Sequence, residues 1–143
     1  MTKILAILTT AVILVFQSGC AVNRSSATVE SATRWESIKS LHVAKAPPDG
    51  RGIHLLIAEK LKSKGFSVTA DPQTMANPDA LVTYTDKWMW DITMYMIELT
   101  IVFRDPTNDF PLARGNSYHT SLTRKSPKEM VEEVVDNITK DRK

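Results

Sequence analysis

Few residues in this chain have types and spacings that could do chemistry, and the first of them is a thiol. Cys20 is the sole cysteine among 143 residues, which excludes an intrachain disulfide and any multi-thiolate metal site. The three histidines, His42, His54 and His119, are too far apart in sequence for an HExxH pair. Ser117, His119 and Ser121 share one face of an expected strand. Side chains two apart on a strand run parallel, and no acid is placed to orient the imidazole, so no nucleophile-and-base pair follows from the spacing. In the absence of a catalytic constellation the expectation is a protein that is not an enzyme. "DGRG", residues 49 to 52, could cradle a phosphate with backbone amides. Asp49 puts a negative charge at that mouth and the P-loop spacing is missing, so a helix-start turn is expected instead.

The stretch "WDITMYM" brings Trp90, Met94 and Met96 together. Thioethers beside an aromatic face suit Cu(I) or Ag(I), and His119 could add a nitrogen. The set resembles the Trp, Met, Met, His group of periplasmic copper chaperones, although theirs is tighter by one residue and their histidine precedes the tryptophan. Against this stands a hydrophobic hairpin whose methionines fill gaps. Packing is the first reading, so no metal ligand or cofactor is expected, and a soft-metal site at Trp90, Met94, Met96 and His119 is the alternative. Tyr84, Trp88 and Trp90 also have two readings: core beneath helices, or an aromatic surface left open for a partner.

The elements that would position these residues are legible from periodicity. The chain is long enough for one domain. "ESIKSLHVAKAP" reads as a first strand, stopped by Pro47 and Pro48. Ile53, Leu56, Ile57 and Leu61 recur at helical spacing and Gly65 ends the run. "FSVTADP" is a short strand. Val82, Tyr84, Trp88, Trp90 and Ile92 alternate on one face, and Tyr95, Ile97, Leu99, Ile101 and Phe103 alternate on the next strand. A turn at "DPTNDFP" leads to a third strand, "LARGNSYHTSL". Ser126, Pro127 and Glu129 form a capping box before the stripe Met130, Val131, Val134, Val135 and Ile138, with Glu132, Glu133 and Asp136 outside it. The order strand, helix, strand, three-stranded meander, helix predicts an α+β domain: a mostly antiparallel sheet with two helices on one face.

The N-terminus has Lys3, an apolar run from Ile4 to Phe16, then Ser18 and Gly19 before Cys20. This is a secretory signal, too short for a comfortable membrane span. It resembles a bacterial lipoprotein signal, with Gln17 standing where that family usually has an aliphatic residue. The resemblance implies cleavage before Cys20 and covalent lipid, palmitate among it, on its sulfur. The other readings are a signal cut elsewhere that leaves a free thiol, and a buried N-terminal helix ending at Gly19. Ala21 after the cysteine implies, by the same resemblance, an outer-membrane lipoprotein facing the periplasm. Residues 1–19 are then the signal peptide, 20–34 the lipidated Cys20 and a flexible Ser/Thr/Ala-rich tether, and 35–143 the domain.

"LKSKGF" followed by "NPDALVTYTDKWMWD" is similar to small bacterial envelope lipoproteins of unknown function. The element order also resembles the lipoprotein of the lipopolysaccharide translocon and the N-terminal domain of the translocation protein TolB. That likeness implies an interaction module of the cell envelope and carries over no catalytic residue. With 18 Lys plus Arg against 16 Asp plus Glu, interspersed, a net charge of +2 argues against a nucleic-acid partner. The expected partners are the membrane, through the lipid anchor, and an envelope protein bound at a sheet edge or at the loops after Asp71 and Asp105.

Overall fold

The alternation of apolar residues from Ala80 to Arg104 builds the sheet on which the rest of the chain is packed. A computed structural model describes residues 22–47, 49–70 and 77–142. In chain order the elements are β1 (Asn23–Val29), β2 (Ser40–Val43), α1 (Ile53–Ser63), β3 (Ser67–Thr69), β4 (Ala80–Asp91), β5 (Thr93–Arg104), β6 (Pro111–His119) and α2 (Pro127–Ile138). The strands form one six-stranded sheet ordered β1-β6-β5-β4-β2-β3. β2 runs parallel to β3 and β4, and every other pairing is antiparallel. The expected α+β class, mostly antiparallel sheet and pair of helices on one face are all present.

That face gathers the core. Leu41, Val82, Leu99, Ile101 and Phe103 from the sheet meet Ile53, Ile57 and Leu61 of α1 and Met130, Val134 and Ile138 of α2. Phe103 lies at its centre with edge-to-face contacts to Trp35 at 6.0 Å and Phe66 at 6.5 Å. α2 approaches β6 closely because Gly115 has no side chain; a Cβ there would lie 2.8 Å from both Val134 Cγ1 and Ile138 Cγ1. Lys60 on α1 and Lys64 just past its end pair with Asp136 on α2 at 2.9 and 2.7 Å, tying the helices together on their solvent side.

Two expectations are corrected. The segment expected as a flexible tether, residues 20–34, contains β1, which pairs antiparallel with β6 from Asn23 opposite His119 to Val29 opposite Ala113. Its side chains are almost all exposed, so the backbone ladder holds it rather than an apolar face. Asn137 on α2 adds a side-chain hydrogen bond to Ser25 at 2.6 Å. The second correction concerns phase. A β-bulge at Ile97 sets Lys87 opposite Glu98 but Trp88 opposite Met96. Beyond it the alternation expected for Tyr95 and Met96 reverses, and Met96 joins the core instead of facing out. The signal peptide, Cys20 and the loop after Asp71 lie outside the described residues. No helix among the described residues is long and apolar enough to cross a membrane.

Candidate functional site

Three places on this frame concentrate chemistry, and two of them are closed. The first is the start of α1. The Asp49 carboxylate is fully buried and accepts hydrogen bonds from the backbone amides of Arg51, Gly52 and His54 at 2.9, 2.7 and 3.1 Å. It also accepts from Tyr84 Oη at 2.6 Å and meets His54 Nδ1 at 2.7 Å. The helix N-terminus therefore holds its own anion, as expected for a helix-start turn, and leaves no cradle for an external phosphate. Burial would raise the Asp49 carboxyl, but the bonds from Tyr84, His54 and the amides outweigh it and hold it well below the usual range. Burial and the bond to Asp49 push the Tyr84 hydroxyl well up. Tyr84, a candidate for partner binding, is thus a core residue that locks β4 to α1.

The second place is the contact between β6 and α2. Ser117 and His119, both fully buried, do not bond to each other. Ser117 Oγ donates to Glu133 Oε2 at 2.7 Å and His119 Nε2 lies 2.8 Å from the same oxygen. Lys125 Nζ donates to the other carboxylate oxygen at 3.0 Å. Burial raises the Glu133 carboxyl, and the bonds from His119, Ser117 and Lys125 prevail and lower it. Glu133, expected outside the apolar stripe, faces the sheet. Its position three residues after Met130 places it on the border of the stripe, which is the signal that could have marked it. Ser117 and His119 both meet Glu133 rather than each other, and His119 Nδ1 is buried with no hydrogen-bond partner among the described residues, so this cluster fastens a helix to a sheet. Ser121 belongs to a separate turn.

The third place is open. β4 and β5 turn at Ile92, whose φ of 59° supplies the reversal that no glycine provides. Trp90 pairs across the ladder with Met94. Trp90 is 68% exposed, Ile92 87%, and Met89 and Met94 are each 47% exposed. Trp88, nearer the body, is partly buried under the Arg51 guanidinium, 4.0 Å from its ring centroid. The aromatic face expected as either core or surface is divided: Tyr84 inside, Trp88 between, Trp90 outside. The candidate soft-metal set is divided the same way, with Met96 and His119 fully buried and Trp90 and Met94 at the open tip. At the opposite end of the ribbon, Asn77, Pro78, Leu81, Pro106 and Thr107 line a groove of about 450 Å³ beside the loop after Asp105.

No protein-family model and no curated protein sequence matches the chain. Solved structures do. A PelC variant dodecamer from Paraburkholderia phytofirmans aligns with a TM-score of 0.62 at 14% identity, covering 85% of this chain and 100% of that one. A PDZ domain protein from Parabacteroides distasonis aligns at 0.52 and 13% identity, over 92% of this chain and 39% of that one. Lipoprotein GNA1162 from Neisseria meningitidis aligns at 0.45 and 16% identity, over 73% of this chain and 99% of that one. The first two are likenesses of fold.

Proposed function

We propose that this chain is a bacterial lipoprotein anchored to the outer membrane through acylated Cys20, with its α+β body facing the periplasm, and that it acts by binding another envelope component. The observation that carries this reading is the N-terminal pattern of Lys3, the apolar run to Phe16, and Ser18-Gly19-Cys20. Each buried methylene of an acyl chain contributes about 0.8 kcal/mol, so several chains on one residue hold a protein of this size firmly. The two buried polar clusters support a binding role over catalysis, since Asp49 and Glu133 engage the Tyr84 and Ser117 hydroxyls and the His54 and His119 rings from within the fold. Two surfaces suit a protein partner: the outer edge of β1, which no other strand among the described residues pairs with, and the groove beside the loop after Asp105. PelC, of similar fold, is found as a dodecamer, so a second copy of this chain is one partner to test.

The anchor is tested by Cys20→Ser. The variant is expected to accumulate as an uncleaved or mislocalised precursor and to lose acylation. Normal maturation and unchanged fractionation with the membrane would overturn the reading. Crosslinking and pull-down from intact envelopes with the natively anchored protein then identifies the partner.

A further inference from the structure

We infer that the β4–β5 tip is a second membrane contact, inserting Trp90, Ile92 and Met94 into the leaflet that holds the lipid anchor; the inference rests on the acylation of Cys20 proposed above. Its starting point is where the chain leaves the domain. Val22 is fastened to the end of β6 and the turn that follows. Its carbonyl accepts from the Thr120 amide at 3.2 Å and from Thr123 Oγ1 at 3.2 Å, and its own amide donates to Thr120 Oγ1 at 3.3 Å. Cys20 lies two residues earlier, so its Cα is within about 7 Å of Val22 Cα, the reach of a fully extended chain. An acylated Cys20 therefore holds this end of the domain against the bilayer.

The same short turn, Ser121–Thr123, is bonded to the hairpin tip. The Ser121 hydroxyl donates to Asp91, and Arg124 donates to Thr93 Oγ1 at 2.9 Å while its guanidinium lies 3.6 Å from Asp91. Arg124 also covers the Tyr95 ring at 4.7 Å. Anchor exit, turn and tip thus form one end of the molecule. What that end presents is apolar: Trp90, Ile92 and Met94 from the hairpin and Leu122, 78% exposed, from the turn between. Asp91 is the only acidic residue from Lys87 to Tyr95; Arg124 sets a positive charge beside it and Ser121 donates to it, so the hairpin tip presents no unpaired carboxylate to a headgroup layer.

Ile92 adds an independent observation. A β-branched residue with φ of 59° is strained, and glycine or asparagine would make the same turn at lower cost. At 87% exposure it has no role in the core. An isoleucine that serves neither backbone nor core belongs to a surface that meets something apolar. Tryptophan beside it suits the headgroup level, where its ring is buried and its N–H stays wet. The contact need not be strong alone, because the anchor makes insertion intramolecular.

The test uses the acylated protein purified from membranes and reconstituted into phosphatidylethanolamine/phosphatidylglycerol vesicles with or without brominated acyl chains. Bromine quenches tryptophan on contact. The wild type is expected to be quenched in the brominated vesicles, and Trp90→Phe to lose most of that quenching, because Trp35 is buried and Trp88 is shielded by Arg51. Ile92→Asp, at an exposed position, is expected to reduce the quenching with Trp90 still present. A protein whose mass shows acyl chains on Cys20, but whose emission is the same in both vesicles, overturns the tip contact and leaves the anchor standing. An unacylated Cys20 overturns both. Disulfide-linked pairs formed through Ile92→Cys, without quenching in the wild type, would assign the tip to a second copy and overturn the membrane contact.

Discussion

At the base of the β4–β5 ribbon, Val82, Tyr84, Leu99, Ile101 and Phe103 are buried beneath two helices, whereas beyond the bulge at Ile97 the same two strands hold Trp90, Ile92 and Met94 out in solvent. Both halves are rich in strand-forming apolar residues, and composition does not tell them apart. Cover does: α1 and α2 lie over the base, and the tip projects past them. The tip's apolar residues are therefore available for an external surface, while those of the base are fixed by packing. The comparison yields a ranking in which the base sets stability and, on the proposed membrane contact, the tip sets location.

Removing the centre of the base should cost most. Phe103→Ala leaves a void among Trp35, Phe66 and the helices and is expected to lower stability by about 3–5 kcal/mol in equilibrium urea unfolding. Asp49→Ala comes next, at about 3 kcal/mol, because it strands the Tyr84 hydroxyl and the α1 amides in a buried site. Asp49→Asn should be milder. The same carboxylate sets an acid limit together with Glu133. Both are held below their ordinary values of 3.8 and 4.5. The unfolded chain therefore takes up protons first as the pH falls, so the contribution is complete above about pH 5 and fades progressively in more acid solution. A thermal-melt series against pH should show that decline, and Asp49→Asn should flatten it.

Smaller effects probe the boundary between the two regions. Gly115→Ala forces Val134 and Ile138 of α2 outward and is expected to destabilise by about 1–3 kcal/mol. The tip should behave in the opposite sense. Ile92→Gly relieves the positive-φ strain and is expected to raise stability by about 1 kcal/mol, while weakening the vesicle contact read by Trp90 quenching. A variant that is more stable and less membrane-bound would separate the two regions by sign. Loss of stability in Ile92→Gly would mean that the isoleucine supports the fold after all.

Much of the base was legible in the sequence because burial imposes period: Val82 and Tyr84, Leu99 to Phe103, and the Met130 to Ile138 stripe each repeat at the spacing of their element. The Ser126–Glu129 capping box is present, with the Glu129 amide on Ser126 Oγ at 3.3 Å and Glu129 Oε2 accepting from the Ser126 amide at 2.8 Å. β1 was hidden because an edge strand exposed on both faces needs no apolar alternation, and "NRSSATV" offers none. The bulge was hidden because one extra residue leaves composition unchanged while reversing every side chain beyond it. The polar fasteners were only half visible. Asp49 was recognisable as an acid at a helix mouth, but its meeting with Tyr84 and the meeting of Glu133 with Ser117 and His119 depend on contacts across 35 and 16 residues. The apolar end at Trp90, Ile92 and Leu122 joins residues that become neighbours through the Ser121–Asp91 bond, which no local pattern announces.

The proposed acylation of Cys20, on which the roles assigned to these regions turn, can be read directly from the intact mass of the protein extracted from membranes. The account predicts a chain that begins at Cys20 and is heavier than its amino acids by acyl-chain increments that Cys20→Ser removes. A mature chain beginning elsewhere, with Cys20 absent or present as a free thiol, would contradict it.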